Sequence, residues 1–150
     1  MPQFNASRVI GRTVDTVIQD VQKEVKRRAY RASHELRNAS LHVLRGTRSG
    51  RIYYVPNTRK KYRASAPGEP PALRTGTFRN AWGPKTYMEK KGTVYRVVSS
   101  IENRIQAGNK PLGERLENGT AKTAPRPYKQ KIIDRAMPKI REIYGRPYRP

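Results

Sequence analysis

The chain has 150 residues, about the length of one domain, and carries 33 lysines and arginines against 11 aspartates and glutamates, a formal net charge of +22. A charge of this size calls for an anionic partner, either nucleic acid or acidic protein surfaces, because crowded copies would otherwise repel one another. The absence of cysteine excludes disulfides and thiolate metal sites, and no run of about 18 apolar residues is present to cross a membrane. The first eight residues lack the order of a signal peptide, so we expect synthesis in the cytoplasm and no membrane contact.

The first predicted element is a long amphipathic helix from Val14 to Leu44, in which apolar residues recur at three- and four-residue steps before Gly46. One small domain cannot cover so long a stripe, so we predict that part of it packs against a neighbouring subunit. A basic helix lying on a membrane is the alternative, but the apolar side lacks the large anchors that such helices use. The residues assigned to the subunit contact are Val14, Val17, Ile18, Val21, Val25 and Leu36.

A basic hairpin is predicted next. Residues 51–55 and 59–64 form two short β-capable runs around a Pro-Asn turn. The charges on the second run have two interpretations, which the sequence does not separate. They either protect an exposed strand edge from unwanted pairing, or they form a ribbon that contacts DNA or an acidic partner. The residues concerned are Arg59, Lys60, Lys61 and Arg63.

The middle of the chain alternates between irregular and regular segments. Residues 65–71 contain three prolines and can be neither helix nor central strand. Residues 74–82 predict a short helix capped by Thr75 or Thr77, with Phe78 and Trp82 four residues apart on one face as core anchors.

Three further elements complete the prediction. Residues 93–101 are rich in β-branched side chains and are the best strand candidate, and residues 115–120 resemble a strand end that enters an Asn-Gly turn. Apolar residues at helical spacing predict a last helix from about Lys129, which Pro138 should kink or split. We expect residues 1–10 and 145–150 to be extended arms. Further basic residues that could contact a partner or DNA are Arg126, Arg146 and Arg149.

No pattern in the sequence indicates catalysis. His34 and His42 lie eight residues apart on the first helix, which is not a metal-ligand spacing, and neither belongs to a recognisable nucleophile–base pair. We therefore expect no enzymatic activity, no cofactor and no metal. A small basic nuclease using a single histidine is the remaining catalytic alternative.

Three motifs in a fixed order resemble a known family. They are Ser-Ala-Pro-Gly-Glu-Pro-Pro-Ala at 65–72 with Arg-Thr-Gly-Thr-Phe at 74–78, then Leu-Glu-Asn-Gly-Thr at 116–120, then Ala-Pro-Arg-Pro-Tyr at 124–128. This order resembles the head–tail joining proteins of long-tailed phages, known as neck, tail-completion or minor tail-component proteins. Phe78 replaces a commoner aliphatic residue, and Pro138 interrupts the last helix. The motif positions are Pro67, Gly68, Pro70, Pro71, Thr75, Gly76, Glu117, Gly119, Thr120, Arg126 and Pro127.

The resemblance implies a structural virion protein, made in the cytoplasm of a bacterial host, that forms a homo-oligomeric ring around the DNA channel in the phage neck. A hexamer is favoured over a dodecamer. The implied partners are adjacent neck, head-completion and tail-terminator proteins, and genomic double-stranded DNA in the lumen, bound without sequence specificity. The implied fold is α+β in a single domain, with a long N-terminal helix and a C-terminal helix packed on a small antiparallel sheet, plus extended loops and a tail.

The charge limits how the ring could use DNA. Six copies at +22 each carry +132, whereas a layer ~40 Å thick encloses roughly 24 phosphate charges of duplex DNA. Most of the positive charge must therefore face acidic neighbours, the outside or counterions. An RNA-binding basic protein of ribosomal type is the alternative; it explains the charge but not the three motifs.

Overall fold

The computed structural model describes residues 6–148, with the backbone alone for residues 6–9 and 12. The fold is α+β, as predicted, with long helices at both ends of the chain and small antiparallel sheets between them. Instead of one sheet there are three two-stranded ones, β1–β2, β3–β4 and β5–β6. The elements are α1 (Ala6–Arg45), β1 (Ile52–Tyr54), β2 (Lys61–Arg63), α2 (Thr77–Asn80), β3 (Gly83–Lys91), β4 (Val94–Glu102), β5 (Gln106–Ala107), β6 (Lys110–Pro111), α3 (Leu112–Asn118) and α4 (Lys129–Gly145).

Helix α1 spans 40 residues, about 60 Å at ~1.5 Å per residue, and ends immediately before Gly46 as predicted. It starts earlier than expected, so residues 6–10, predicted as part of an extended arm, are helical instead. Among the described side chains of α1, the buried ones all lie in its second half, and most are small enough to let neighbouring elements approach the helix backbone closely. The small ones are Ala29, Ala32, Ser33, Ala39 and Ser40.

The long hairpin β3–β4 packs against α1. Its two nine-residue strands pair in register from Gly83 opposite Glu102 to Lys91 opposite Val94, around a turn at Gly92 with φ 61°. The Ser99 hydroxyl donates to the Ala29 carbonyl at 2.8 Å, which fixes the hairpin on the helix. The sequence predicted β4 but not β3.

Helix α4 lies against α1 and buries Ile132, Ala136 and Ile143. Pro138 does not split this helix, which runs without interruption from Lys129 to Gly145. Its C-terminal end is held by Arg28 of α1, a side chain that is almost fully buried.

The Arg28 guanidinium donates to the Tyr144 and Arg146 carbonyls, and to the Pro147 carbonyl at 2.8 Å. Its Cζ also lies over the Tyr148 ring, 3.9 Å from the ring centroid, and its Nε pairs with the Glu24 carboxylate at 2.8 Å. The segment after α4 therefore leaves the helix in an extended conformation but is fixed on α1.

An aromatic cluster forms the centre of the core. Phe78, Trp82 and Tyr128 meet edge to face, with ring centroids 5.7 to 5.9 Å apart. The two predicted core anchors are thus confirmed, and Tyr128 at the start of α4 joins them.

Two local predictions are wrong. The N-cap of α2 is Gly76, with φ 84° and no side-chain capping bond, instead of Thr75 or Thr77. Residues 115–118, predicted as a strand end, belong to helix α3, whose residue Leu116 packs against the core. Gly119 does supply the predicted turn, with φ 74°.

Within residues 6–148, none of the helices combines the length and the apolar character that crossing a membrane requires.

Candidate interaction surfaces

The N-terminal half of α1 presents an uncovered apolar stripe. Four of the six residues assigned to a subunit contact lie on it, together with Ile10, which was not among the predicted residues. Their exposed fractions run from 37% to 63%. Val25 is half-buried, and Leu36 packs against the core of its own chain, so the assignment of Leu36 to a subunit contact is corrected. The stripe consists of Ile10, Val14, Val17, Ile18 and Val21.

The basic hairpin β1–β2 forms as predicted, with Ile52 opposite Arg63 and Tyr54 opposite Lys61. It packs extensively against no other helix or strand of the described chain. A two-stranded ribbon on its own is only marginally stable in water, so this one is suited to packing against a partner. Ile52, Tyr53 and Tyr54 are all about half exposed or more.

The four basic residues of this ribbon are free to meet an anionic surface. Arg59, Lys60, Lys61 and Arg63 are all exposed, and none forms an ion pair with a carboxylate of the described residues. Lys61 lies over the Tyr54 ring at 5.1 Å, and Arg63 donates to the Gly50 carbonyl at 3.2 Å. The ribbon thus alternates aromatic rings with uncompensated cations.

The first motif segment is held by Glu69. Its carboxylate accepts from the Ser49 hydroxyl at 2.6 Å, the Ala66 amide at 2.7 Å and the Ser49 amide at 3.1 Å. These donors, led by the Ser49 hydroxyl, lower the pKa of Glu69 to about 2. Pro70 and Pro71 are buried, and the Pro71 carbonyl accepts from Arg48 at 3.0 Å.

The two later motif segments are joined by Glu117 and Tyr128. One carboxylate oxygen of Glu117 accepts from the Tyr128 amide at 3.0 Å and the Lys129 amide at 3.2 Å, at the start of α4. The Tyr128 hydroxyl donates to the Gly113 carbonyl at 3.0 Å. Burial, with the nearby charge of Glu117, raises the pKa of Tyr128 to about 12.

Backbone contacts bring the motif segments together. The Gly68 amide donates to the Pro125 carbonyl at 3.2 Å, and the Arg126 amide donates to the Leu116 carbonyl at 2.7 Å. A side chain at Gly119 would place its Cβ 2.7 Å from the Thr123 carbonyl, so this position requires glycine on steric grounds as well as for its φ. Thr120 pairs with Thr123 in an isolated bridge, Pro127 is half-buried, and Pro67 and Thr75 are exposed. The motif residues therefore build the framework of one region.

This region encloses a cleft of about 410 Å³ between the β1–β2 hairpin, α2 and α3. Its walls are largely apolar, and among the described residues three arginines line it, whereas no aspartate or glutamate does. Nη1 of Arg126 is shielded from solvent and has no hydrogen-bond acceptor. Arg126 was predicted from the sequence as a contact residue, whereas Arg74 and Arg79 were not, because only the fold brings all three to the lining of one cleft.

The other predicted contact residues lie elsewhere. Arg146 pairs with Glu142 at 2.6 Å beyond the end of α4, and Arg149 is outside the described residues. The His34 ring packs against the Tyr30 ring in a tilted arrangement, with ring centroids 4.4 Å apart. In the described part of the chain, no three histidine or acidic side chains are grouped so as to hold a metal ion.

No family model, curated protein or solved structure matches the chain. A functional interpretation therefore depends on the motifs and on the three surfaces: the apolar stripe, the basic hairpin and the cleft.

Proposed function

We propose that the chain is a structural ring subunit in the neck of a long-tailed phage, where it joins the DNA-filled head to the tail. The exposed stripe of α1 is the observation that carries this proposal. Five aliphatic side chains in a continuous row are uncovered in the single chain, and contiguous apolar surface of this kind marks a protein–protein contact. A second copy of the chain is the partner we assign to it.

The three motifs support the placement in the neck. Their residues meet in one region and make the hydrogen bonds that shape the cleft. Motifs that are far apart along the chain thus form one structural unit, which supports treating them as a single feature.

The basic hairpin is the proposed docking element for the acidic surfaces of adjacent rings. Six copies at +22 each far exceed the roughly 24 phosphates of enclosed duplex, so most of the charge must meet protein or counterions. A minority of arginines and lysines would line the lumen and contact the genome without reading its sequence.

The second candidate is an RNA-binding protein of ribosomal type. The hairpin favours it, because the exposed rings of Tyr53 and Tyr54 beside Lys61 could stack on unpaired bases. It would bind RNA as a single copy and would leave the apolar stripe without a role.

A charge-reversal experiment tests the neck proposal. Replacing Arg59, Lys60, Lys61 and Arg63 with glutamate should leave full heads and complete tails unjoined. The unjoined heads and tails are counted by electron microscopy in a phage that makes only this variant. The matched control replaces Lys129, Lys131, Arg135 and Arg141 of α4 with glutamate; these exposed residues give the same change in net charge. Normal infectious particles from the hairpin variant would contradict the proposal.

A further inference from the structure

We infer that the cleft is a binding site for a peptide segment of a neighbouring protein that combines an apolar side chain with a carboxylate. The inference rests on the proposed function only for the source of this segment, an adjacent ring of the neck. The site itself is defined by the chemistry of its lining.

The apolar part of the lining sets the first requirement. Leu73, Phe78 and Leu116 face a space of about 410 Å³, within the range of sites that hold small ligands or single peptide side chains. Leu73 is 38% exposed at this surface, so an aliphatic or aromatic side chain entering the cleft would remove its apolar surface from water.

The arginines set the second requirement. Arg74, Arg79 and Arg126 line the same cleft, and no acidic side chain stands among the lining residues that the structure describes. None of the three forms an ion pair with any carboxylate of the described residues. A guanidinium pairs best with a planar carboxylate through two parallel bonds, so an incoming carboxylate complements this lining.

The enclosed Nη1 of Arg126 strengthens the assignment. It is shielded from solvent and has no acceptor among the described protein atoms, an arrangement that costs stability in the free protein. A turn of the guanidinium toward a carboxylate in the cleft would remove that cost on binding.

A second copy of the chain is a poor occupant, since its surface is strongly basic. Duplex DNA is also poor, because the apolar lining would gain nothing from phosphates. An acidic protein surface meets both requirements.

The experiment uses N-acetyl-leucine as a minimal probe, titrated into the full-length protein and followed by NMR of arginine side chains and leucine methyls. The salt is about 0.3 M, to screen non-specific attraction of anions to the basic surface. We expect saturable shifts confined to Arg126 and the cleft methyls, with a Kd of about 1–10 mM. N-acetylglycine lacks the side chain and N-acetyl-leucinamide lacks the carboxylate, so each should bind at least about tenfold more weakly.

Two variants localise the binding. Arg126→Gln should weaken binding of N-acetyl-leucine at least about tenfold, whereas the matched control Arg135→Gln, an exposed arginine of α4, should leave it unchanged. Leu73→Glu provides a second variant at a partly exposed position, where its own carboxylate should compete with the probe and abolish binding.

Equal binding of all three probes, shifts that are not saturable, or a short DNA duplex competing for the same signals would overturn the inference. Saturable, carboxylate-dependent binding supports the cleft even if the chain fails to join heads to tails, which would count against the proposed function alone. Conversely, a chain that joins heads to tails but binds no probe would refute the cleft and leave the neck proposal standing.

Discussion

At the scale of single residues, Glu69 shows that a variable position of a motif can still stabilise the fold. The resemblance rests on the prolines and glycine around it and leaves position 69 open. In the structure its carboxylate binds three donors and ties the segment after α1 to the turn at Ala66. The donor Ser49 is 20 residues away, so only the local bond to Ala66 could have been suspected from sequence.

Glu69→Gln should lower stability at neutral pH and change its pH dependence. The folded pKa of about 2 lies below the ordinary value of 4.5, so the carboxylate stabilises the fold above pH 4.5 and loses this effect as the pH falls toward 2. The difference in urea midpoint between wild type and variant should therefore shrink by more than half between pH 7 and about pH 3. Glu89→Gln, at an exposed position of β3, is the control. A difference that stays constant over this range would contradict the assignment.

At the scale of elements, the sequence predicted the helices and strands that have a distinctive spacing of apolar residues or distinctive turn residues. Helix α1, strand β4, helix α4 and the β1–β2 hairpin all follow from spacing and turn residues. Strand β3 did not, because Gly83, Pro84 and its lysines have low strand propensity. It is a strand because it pairs with β4 along its whole length and places the Thr86 hydroxyl 3.3 Å from the Ser33 hydroxyl of α1.

The candidate surfaces were predictable to different degrees. The apolar stripe of α1 could be predicted from the sequence because all its residues lie within one helix. The position at which the helix becomes buried could not, because it depends on which other elements pack on the helix. The cleft could not be predicted, since its walls come from α1, the hairpin, α2, α3 and the loops between them. The motifs marked the region without indicating that it encloses a space.

The contact between α3 and α4 gives a prediction at this scale. A Cβ at Gly113 would lie 2.6 Å from the Tyr128 hydroxyl, on a side chain that is 1% exposed and cannot move away freely. Gly113→Ala should therefore destabilise the protein by about 1–3 kcal/mol, and Tyr128→Phe alone by about 1 kcal/mol through its lost hydrogen bond.

The double variant should be more stable than the sum of the two single effects predicts, because phenylalanine removes the crowded oxygen. Urea unfolding of the four proteins at pH 7 measures this coupling. Additive effects would contradict this prediction, because they would show that the Tyr128 hydroxyl does not exclude a methyl group at position 113.

At the scale of the whole molecule, two surface properties oppose each other. The apolar stripe favours association of copies, whereas a net charge of +22 on each copy resists it. Salt screens the repulsion and leaves apolar contacts intact, so self-association should strengthen as salt is added. Binding to RNA would show the opposite dependence, because salt weakens contacts to phosphates.

The most direct test of the ring proposal is the mass of the nuclease-treated protein by light scattering, in about 0.5 M salt. From a chain mass of 17.2 kDa, the proposal predicts a hexamer of about 103 kDa. Val17→Lys in the stripe should reduce it to the single-chain mass, whereas Gln19→Lys, exposed two residues along the same helix, should not. Nuclease-treated protein with the single-chain mass of 17.2 kDa would contradict the ring, even if the untreated protein has a larger mass.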